Sequence, residues 1–228
     1  MMSSPIPVRD LVRCSVCPLQ MYLSRSTPEE FAEPAGYSIA KQIAAHLGDE
    51  LDLAEIWEEL ETVLPDAGEE EHAQTTAMVE ACRKTAWRSP VSTDVFVSSQ
   101  KYGITGKVDR LFEEGFSIIR SSTAPSAGIY ASDRLRLTAY WFCLLEEHNK
   151  PFAGSVEYLG SGTVRHLASP APADRRAFLA ALRSAESVFR GEIPRPHQGH
   201  HCLSCTFHER CGDVLRPKSL FERLHPAR

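Results

Sequence analysis

The densest chemistry in the chain lies near its end, in His201-Cys202-Leu203-Ser204-Cys205-Thr206-Phe207-His208-Glu209-Arg210-Cys211. Two cysteines separated by two residues can turn both thiolates toward one metal. A third, six residues later, supplies another corner of a tetrahedron. The fourth ligand must come from elsewhere, and His200, His201, His208, Cys14 and Cys17 are the candidates. Spacing leaves three readings open: unrelated buried thiols, a structural zinc site, or an iron–sulfur cluster on four thiolates. The chain has seven cysteines, an odd number, and its first residues lack the apolar run of a signal peptide. A reducing, cytoplasmic setting is therefore expected rather than a disulfide framework. Cys82 and Cys143 fall in helix-like, partly apolar stretches and read as buried core thiols.

A second candidate is Gly103-Ile104-Thr105-Gly106-Lys107-Val108-Asp109-Arg110. Here an acid ends a β-branched strand, and a tight turn and another strand follow. That arrangement can hold a divalent metal close to a scissile phosphate. Taken alone, Asp109 reads more plainly as an edge-strand charge paired with a neighbouring arginine.

These residues need elements to position them. Residues 10–25 read as a helical entry with Pro18 in a first turn, where its missing N–H costs nothing. Residues 36–47, 52–63 and 70–87 read as three more helices; in the second of these Leu53, Ile56, Trp57 and Leu60 recur at helical spacing. After Pro90 the pattern changes to short β-branched and aromatic runs, 92–99, 103–112 and 115–122, with a turn at Glu113-Glu114-Gly115, which predicts a meander. A helix over 132–148 with Ser132 as N-cap, strands over 153–159 and 162–168, and an amphipathic helix over 172–190 complete the series. The order predicts one α/β domain with a central mixed sheet.

Composition limits the function classes. The 228 residues carry 25 Lys and Arg against 30 Asp and Glu, a net charge of −5, which excludes a globally basic nucleic-acid binder but not a local basic groove. Eleven acids and no Lys or Arg lie between Asp49 and Glu71, a pattern that reads first as a solvated helix face. No run approaches the ~20 apolar residues of a membrane span.

In these motifs the chain resembles the CRISPR-associated RecB-like exonucleases, iron–sulfur nucleases of the PD-(D/E)XK type. The segment Cys14-Ser-Val-Cys17-Pro18-Leu-Gln-Met-Tyr22-Leu23 is similar to that family's Cys-Pro helix, and Cys202, Cys205 and Cys211 match the spacing of its C-terminal ligands. The resemblance implies a PD-(D/E)XK-like mixed sheet flanked by helices. It also implies a four-iron cluster on Cys17, Cys202, Cys205 and Cys211 that joins the chain ends. Gly106-Lys-Val-Asp109 matches the metal-binding Asp motif, and His46 is the candidate for the helix-borne metal ligand. Together they imply Mg²⁺ or Mn²⁺ on Asp109 and His46, with Arg120 and Tyr140 completing the catalytic set. DNA is the implied substrate, spacer acquisition beside the CRISPR integrase the implied setting, and no membrane is involved.

The departures from the pattern are specific. The next strand should carry an acid, one spacer and a lysine; this chain has Ile118 and Arg120 there. Ile118 cannot bind a metal, and an arginine stays protonated through any working pH. Where the family has Gln-x-x-x-Tyr, this chain has Arg136-Leu-Thr-Ala-Tyr140. Glu113, Glu114 and Glu157 are the acids left to substitute, and Arg120 and Arg136 could still contact a phosphate backbone. A DNA nuclease with reduced or lost activity is one expectation. A non-catalytic iron–sulfur scaffold that binds DNA or a protein partner is another, and a zinc-capped α/β interaction domain a third. One domain over 1–228 is expected, with a cysteine cap from 1–25 and 195–215, a nuclease-like core over 92–168 and a basic tail over 216–228.

Overall fold

The computed structural model describes residues 4–26 and 34–215; the expected basic tail lies outside them. The strands are β1 (Ile6–Pro7), β2 (Ser92–Ser99), β3 (Ile104–Phe112), β4 (Gly115–Arg120), β5 (Ala153–Tyr158) and β6 (Thr163–Leu167). The helices are α1 (Val8–Val16), α2 (Pro18–Ser26), α3 (Ala35–Ala45), α4 (Leu53–Val63), α5 (Glu69–Cys82), α6 (Ala131–His148), α7 (Pro172–Phe189) and α8 (His208–Leu215).

One six-stranded mixed sheet organises them. β2, β3 and β4 form the expected antiparallel meander, β4 runs parallel to β5 across the α6 crossover, and β6 returns antiparallel at the edge. β1, a two-residue strand too short to show a periodicity, pairs parallel with the start of β3. β4 is buried from Gly115 to Ile119. That explains its nearly unbroken apolar character, because a central strand covered on both faces has no side for polar residues. Ile118 joins the core formed with α1, α6 and α7, while Ile119 joins a second core with α3, α4 and α5.

Three local expectations change. The helical entry over 10–25 divides at Cys17, whose extended backbone ends α1. The helix expected to reach residue 87 stops at Cys82, and Trp87 folds back to donate its indole N–H to the Cys82 carbonyl at 2.8 Å. The helix expected to start at Ser132 starts one residue earlier, behind Tyr130, without a side-chain cap. Packing of its apolar face supplies what a cap would have added.

Packing leaves no room for a side chain at several glycines, Gly162 and Gly106 among them. Gly162 has φ +56°, and a Cβ there would stand 2.1 Å from the Ala81 carbonyl oxygen, so α5 packs directly on the β5–β6 turn. At Gly106 a Cβ would lie 2.6 Å from the Tyr140 ring, so the missing side chain lets that ring lie across β3.

Candidate functional site

Asp109 sits at a fork in the sheet. β3 and β4 pair from Arg110↔Ser117 to Phe112↔Gly115, while the first residues of β3 pair with β1 instead. Beyond the fork the Ile119 N–H donates to Asp109 Oδ2 at 2.8 Å, so the side chain carries on where the backbone ladder stops. Ile118, the position where a second acid was expected, lies beyond the last β3–β4 pair and joins the core formed with α1, α6 and α7.

Two residues of α3 reach the other carboxylate oxygen. Tyr37 donates its hydroxyl to Asp109 Oδ1 at 3.3 Å, and Lys41 Nζ lies 3.2 Å from the same atom. They are spaced i, i+4, so they share one helix face. Lys41 also pairs with Asp94 Oδ1. The β2–β3 pairs Thr93↔Arg110 and Val95↔Val108 place Asp94 directly opposite Asp109. Asp94 has φ +53°, a left-handed conformation that Asp tolerates better than most residues. Burial works against the Lys41 ammonium, but the hydrogen bond to Asp94 and the charge of Asp109 hold its pKa above the ordinary lysine value. Lys107 Nζ lies 3.8 Å from Asp94 Oδ1.

α6 approaches the same group. Tyr140 is buried over Gly106, with its phenol held up mainly by burial, and it bonds to Arg136 within electrostatic reach of Asp109. Burial first, and then the like charge of Arg120, depress Arg136 below the ordinary guanidinium value. Its Nε finds no acceptor among the described residues. Arg120 is paired with Asp133 and donates to the Ile119 carbonyl at 2.8 Å; Asp133 also accepts the Tyr158 hydroxyl at 2.9 Å.

The expected set is thus partly assembled. Asp109 and Tyr140 come together, and Arg120 stands beside Arg136 but is tied to Asp133. His46 is placed elsewhere: its Nε2 lies 2.7 Å from Glu59 Oε2 on α4, and that bond holds the Glu59 carboxyl below its usual range. The plain reading of Asp109 as an arginine partner is corrected too, since its cation is Lys41. Glu157 is no substitute acid. It forms a buried pair with Arg110 at 3.1 and 2.9 Å, and Arg110 also donates to the Leu47 carbonyl at 2.8 Å. Glu113 and Glu114 are exposed at the β3–β4 turn.

Tyr37, Lys41 and Asp94 were not singled out in the sequence. The available signals were the i, i+4 spacing of Tyr37 and Lys41 and a lone acid inside the β-branched run Ser92–Ser99.

The cysteine cap is a separate centre. Cys17 is the N-cap of α2: its carbonyl accepts the Met21 N–H at 3.2 Å, and Pro18 takes the first helical position as expected. Cys202 lies in a 3-10 turn that Cys205 ends with extended backbone, and Cys211 follows on α8, one turn after Phe207. Phe207 packs with Cys17, Leu19 and Leu23 in a small apolar cluster that Cys205 and Cys211 border. Cys17, Cys202, Cys205 and Cys211 all line one cavity of about 370 Å³, with His197, His201 and His208 at its wall. Burial, and then the sulfurs of Cys17, Cys205 and Cys202, raise the Cys211 thiol pKa. Cys14 points instead into the main core and bonds to Ser184. Among the described residues no three His, Cys, Asp or Glu side chains form a group able to hold a single metal ion. Cys82 and Cys143 are fully buried, and desolvation pushes both thiols up to about 12.

No protein-family profile matches the chain, and no curated protein matches it. Among solved structures it superposes on a crystal structure from Eubacterium rectale bearing the name "Putative exonuclease". The TM-score is 0.62 at 8% identity, over 99% of this chain and 94% of that one. The chain shares the fold of that protein. It also aligns with the crystal structure of SSO0001 at a TM-score of 0.36 and 15% identity, over 89% of this chain and 95% of that one. No helix among the described residues is long and apolar enough to cross a membrane.

Proposed function

We propose that this nuclease-fold protein binds nucleic acid, DNA first, without cutting it, and that an iron–sulfur cluster joins its two chain ends. The observation that carries the first half is the state of Asp109. One of its oxygens accepts a backbone N–H, the other meets Tyr37 and Lys41, and the β4 position expected to carry a second acid is Ile118. Mg²⁺ requires several fixed oxygens, and this group does not fit it. The cations that remain suit phosphate. Lys107 is exposed, Lys41 is part-exposed, and among the described residues Arg136 bonds to the Tyr140 phenol and to no carboxylate. Contacts of this kind position a backbone without reading sequence.

The cap fits a cluster in its donor set and its space: four cysteines border one cavity, with an apolar floor of Leu19, Leu23 and Phe207. A bound cluster would act as a cross-link between α2 and the segment 202–211, because ligand binding free energy there is also folding free energy. The finer setting, CRISPR adaptation in the cytoplasm beside the integrase, is supported by the resemblance of the Cys-Pro helix and of Gly106–Asp109.

The deciding experiment uses anaerobically purified protein with end-labelled single- and double-stranded DNA in Mn²⁺, beside Asp109→Ala. Retained DNA binding with no cutting is expected. Cutting that disappears in Asp109→Ala would overturn the non-catalytic reading. The same preparation should contain iron and acid-labile sulfide; zinc as its only metal would overturn the cluster.

A further inference from the structure

Asp94 and Asp109 stand opposite one another across β2 and β3, and like charges so placed repel. In a metal-dependent site a divalent ion would relieve that repulsion. Here the relief comes from the protein itself. Lys41 Nζ contacts Asp94 Oδ1 and lies 3.2 Å from Asp109 Oδ1, and Lys107 Nζ lies 3.8 Å from Asp94 Oδ1. Two carboxylates are thus matched by two ammonium groups. Asp109 Oδ2 is already committed to the Ile119 N–H. A metal entering this group would have to displace Lys41.

We infer that Lys41 is the resident cation of this site, standing where a divalent ion would bridge the two aspartates, so that phosphate binding on this face needs no added metal. The inference rests on the nucleic-acid reading above. An ammonium has three donors. Two are directed at Asp94 and Asp109, and the third serves a phosphate oxygen. Neutralising the aspartates also removes the repulsion that two bare carboxylates would exert on a phosphate. Tyr37, one turn earlier on α3, bonds to the same Asp109 oxygen and keeps it facing α3.

The test is fluorescence polarisation with a labelled DNA 20-mer, single- and double-stranded, in EDTA and in Mn²⁺. Wild type, Lys41→Met, Lys41→Arg and Lys41→Met with Asp94→Asn are compared, and thermal melts verify that each is folded. Wild type and Lys41→Arg should bind alike in EDTA and Mn²⁺. Lys41→Met should bind about tenfold more weakly in EDTA, as expected when a phosphate contact is lost. It should recover in Mn²⁺, and adding Asp94→Asn should remove the recovery. Wild-type binding that collapses in EDTA, or Lys41→Met that binds like wild type in EDTA, would overturn the inference. So would Mn²⁺-dependent cutting by wild type that Lys41→Met abolishes, since Lys41 and Asp94 would then be catalytic. Should wild type bind no DNA in either condition, the nucleic-acid reading fails by itself, and Mn²⁺ titration followed by electron paramagnetic resonance still decides Lys41. Ion uptake by Lys41→Met and not by wild type supports the assignment; uptake by both or by neither overturns it.

Discussion

Asp109 and Arg110 are consecutive on β3, and both reach toward the layer that holds α3: Asp109 meets Tyr37 and Lys41 on that helix, and Arg110 donates to the Leu47 carbonyl just beyond it. Both are buried, but the partners they meet differ in access to water. Asp109 meets Lys41, itself bonded to Asp94, and the side chains of these two are 25% and 43% exposed. Arg110 meets Glu157, and those two side chains are 1% and 5% exposed. The first cluster can exchange a partner for a ligand by moving one flexible lysine. The second cannot open without leaving a charge in the core. One step along a strand therefore separates a group suited to binding from one that serves the fold.

Breaking the sealed pair should have the largest effect. Glu157→Leu should lower unfolding stability by about 3–5 kcal/mol, because it strands the Arg110 guanidinium. Adding Arg110→Met should recover a substantial part of that, since an apolar pair needs no desolvated partner. Urea unfolding of the cycle decides it, and a double variant no better than the single would mean that Arg110 matters mainly for its bonds to the Leu47 and Arg88 carbonyls.

Gly106→Ala tests how α6 is seated over the Asp109 group. The added methyl would force the Tyr140 ring to move, and overpacking of this sort costs about 1–3 kcal/mol. Denaturant melts should show that loss together with weaker DNA binding. A stability loss with binding untouched would remove Tyr140 and Arg136 from the interface.

Asp109→Asn should cost less, about 1–2 kcal/mol, through weakened charge-assisted bonds to Lys41 and the Ile119 N–H. Because Lys41 keeps its charge, DNA binding should survive. Loss of binding with the fold intact would place Asp109 itself in contact with the ligand.

The smallest expected effect is a pH dependence. Lys41 is raised in the folded state, so the stability it contributes is fully present below the unfolded value of about 10.4 and is lost as pH rises through its higher folded value. For a partly exposed pair that contribution is about 1 kcal/mol or less. Melts of wild type and Lys41→Met should therefore converge as pH rises past the folded value. Curves that run parallel across that range would show that the Lys41 ammonium adds nothing to the fold.

Much of the architecture was legible in the sequence because local periodicity survives folding. The meander after Pro90, the α6 crossover and the β5–β6 pair follow from alternation and turn residues. Helix boundaries were less legible: α5 ends at Cys82 because Trp87 turns back onto it. β1 was invisible because two residues carry no period. The Cys17, Cys202, Cys205 and Cys211 group was legible as residue types and spacing, while its lining of a single cavity was not.

What the sequence determined by itself is which functional groups the chain contains and which it lacks. It holds an acid at 109, cysteines at both ends, and no acid or lysine at 118 and 120. Only the tertiary structure decided which cation meets that acid. His46, the residue marked by type, turned to Glu59 on α4, whereas Lys41, five residues earlier, met Asp109 and Asp94. Helical spacing fixes which residues share a face, but not which face the sheet will use. That choice belongs to the packing of α3 against β4 and α5, where Ile39 and Ile43 are buried, and that packing carries Tyr37 and Lys41 over the fork in the sheet.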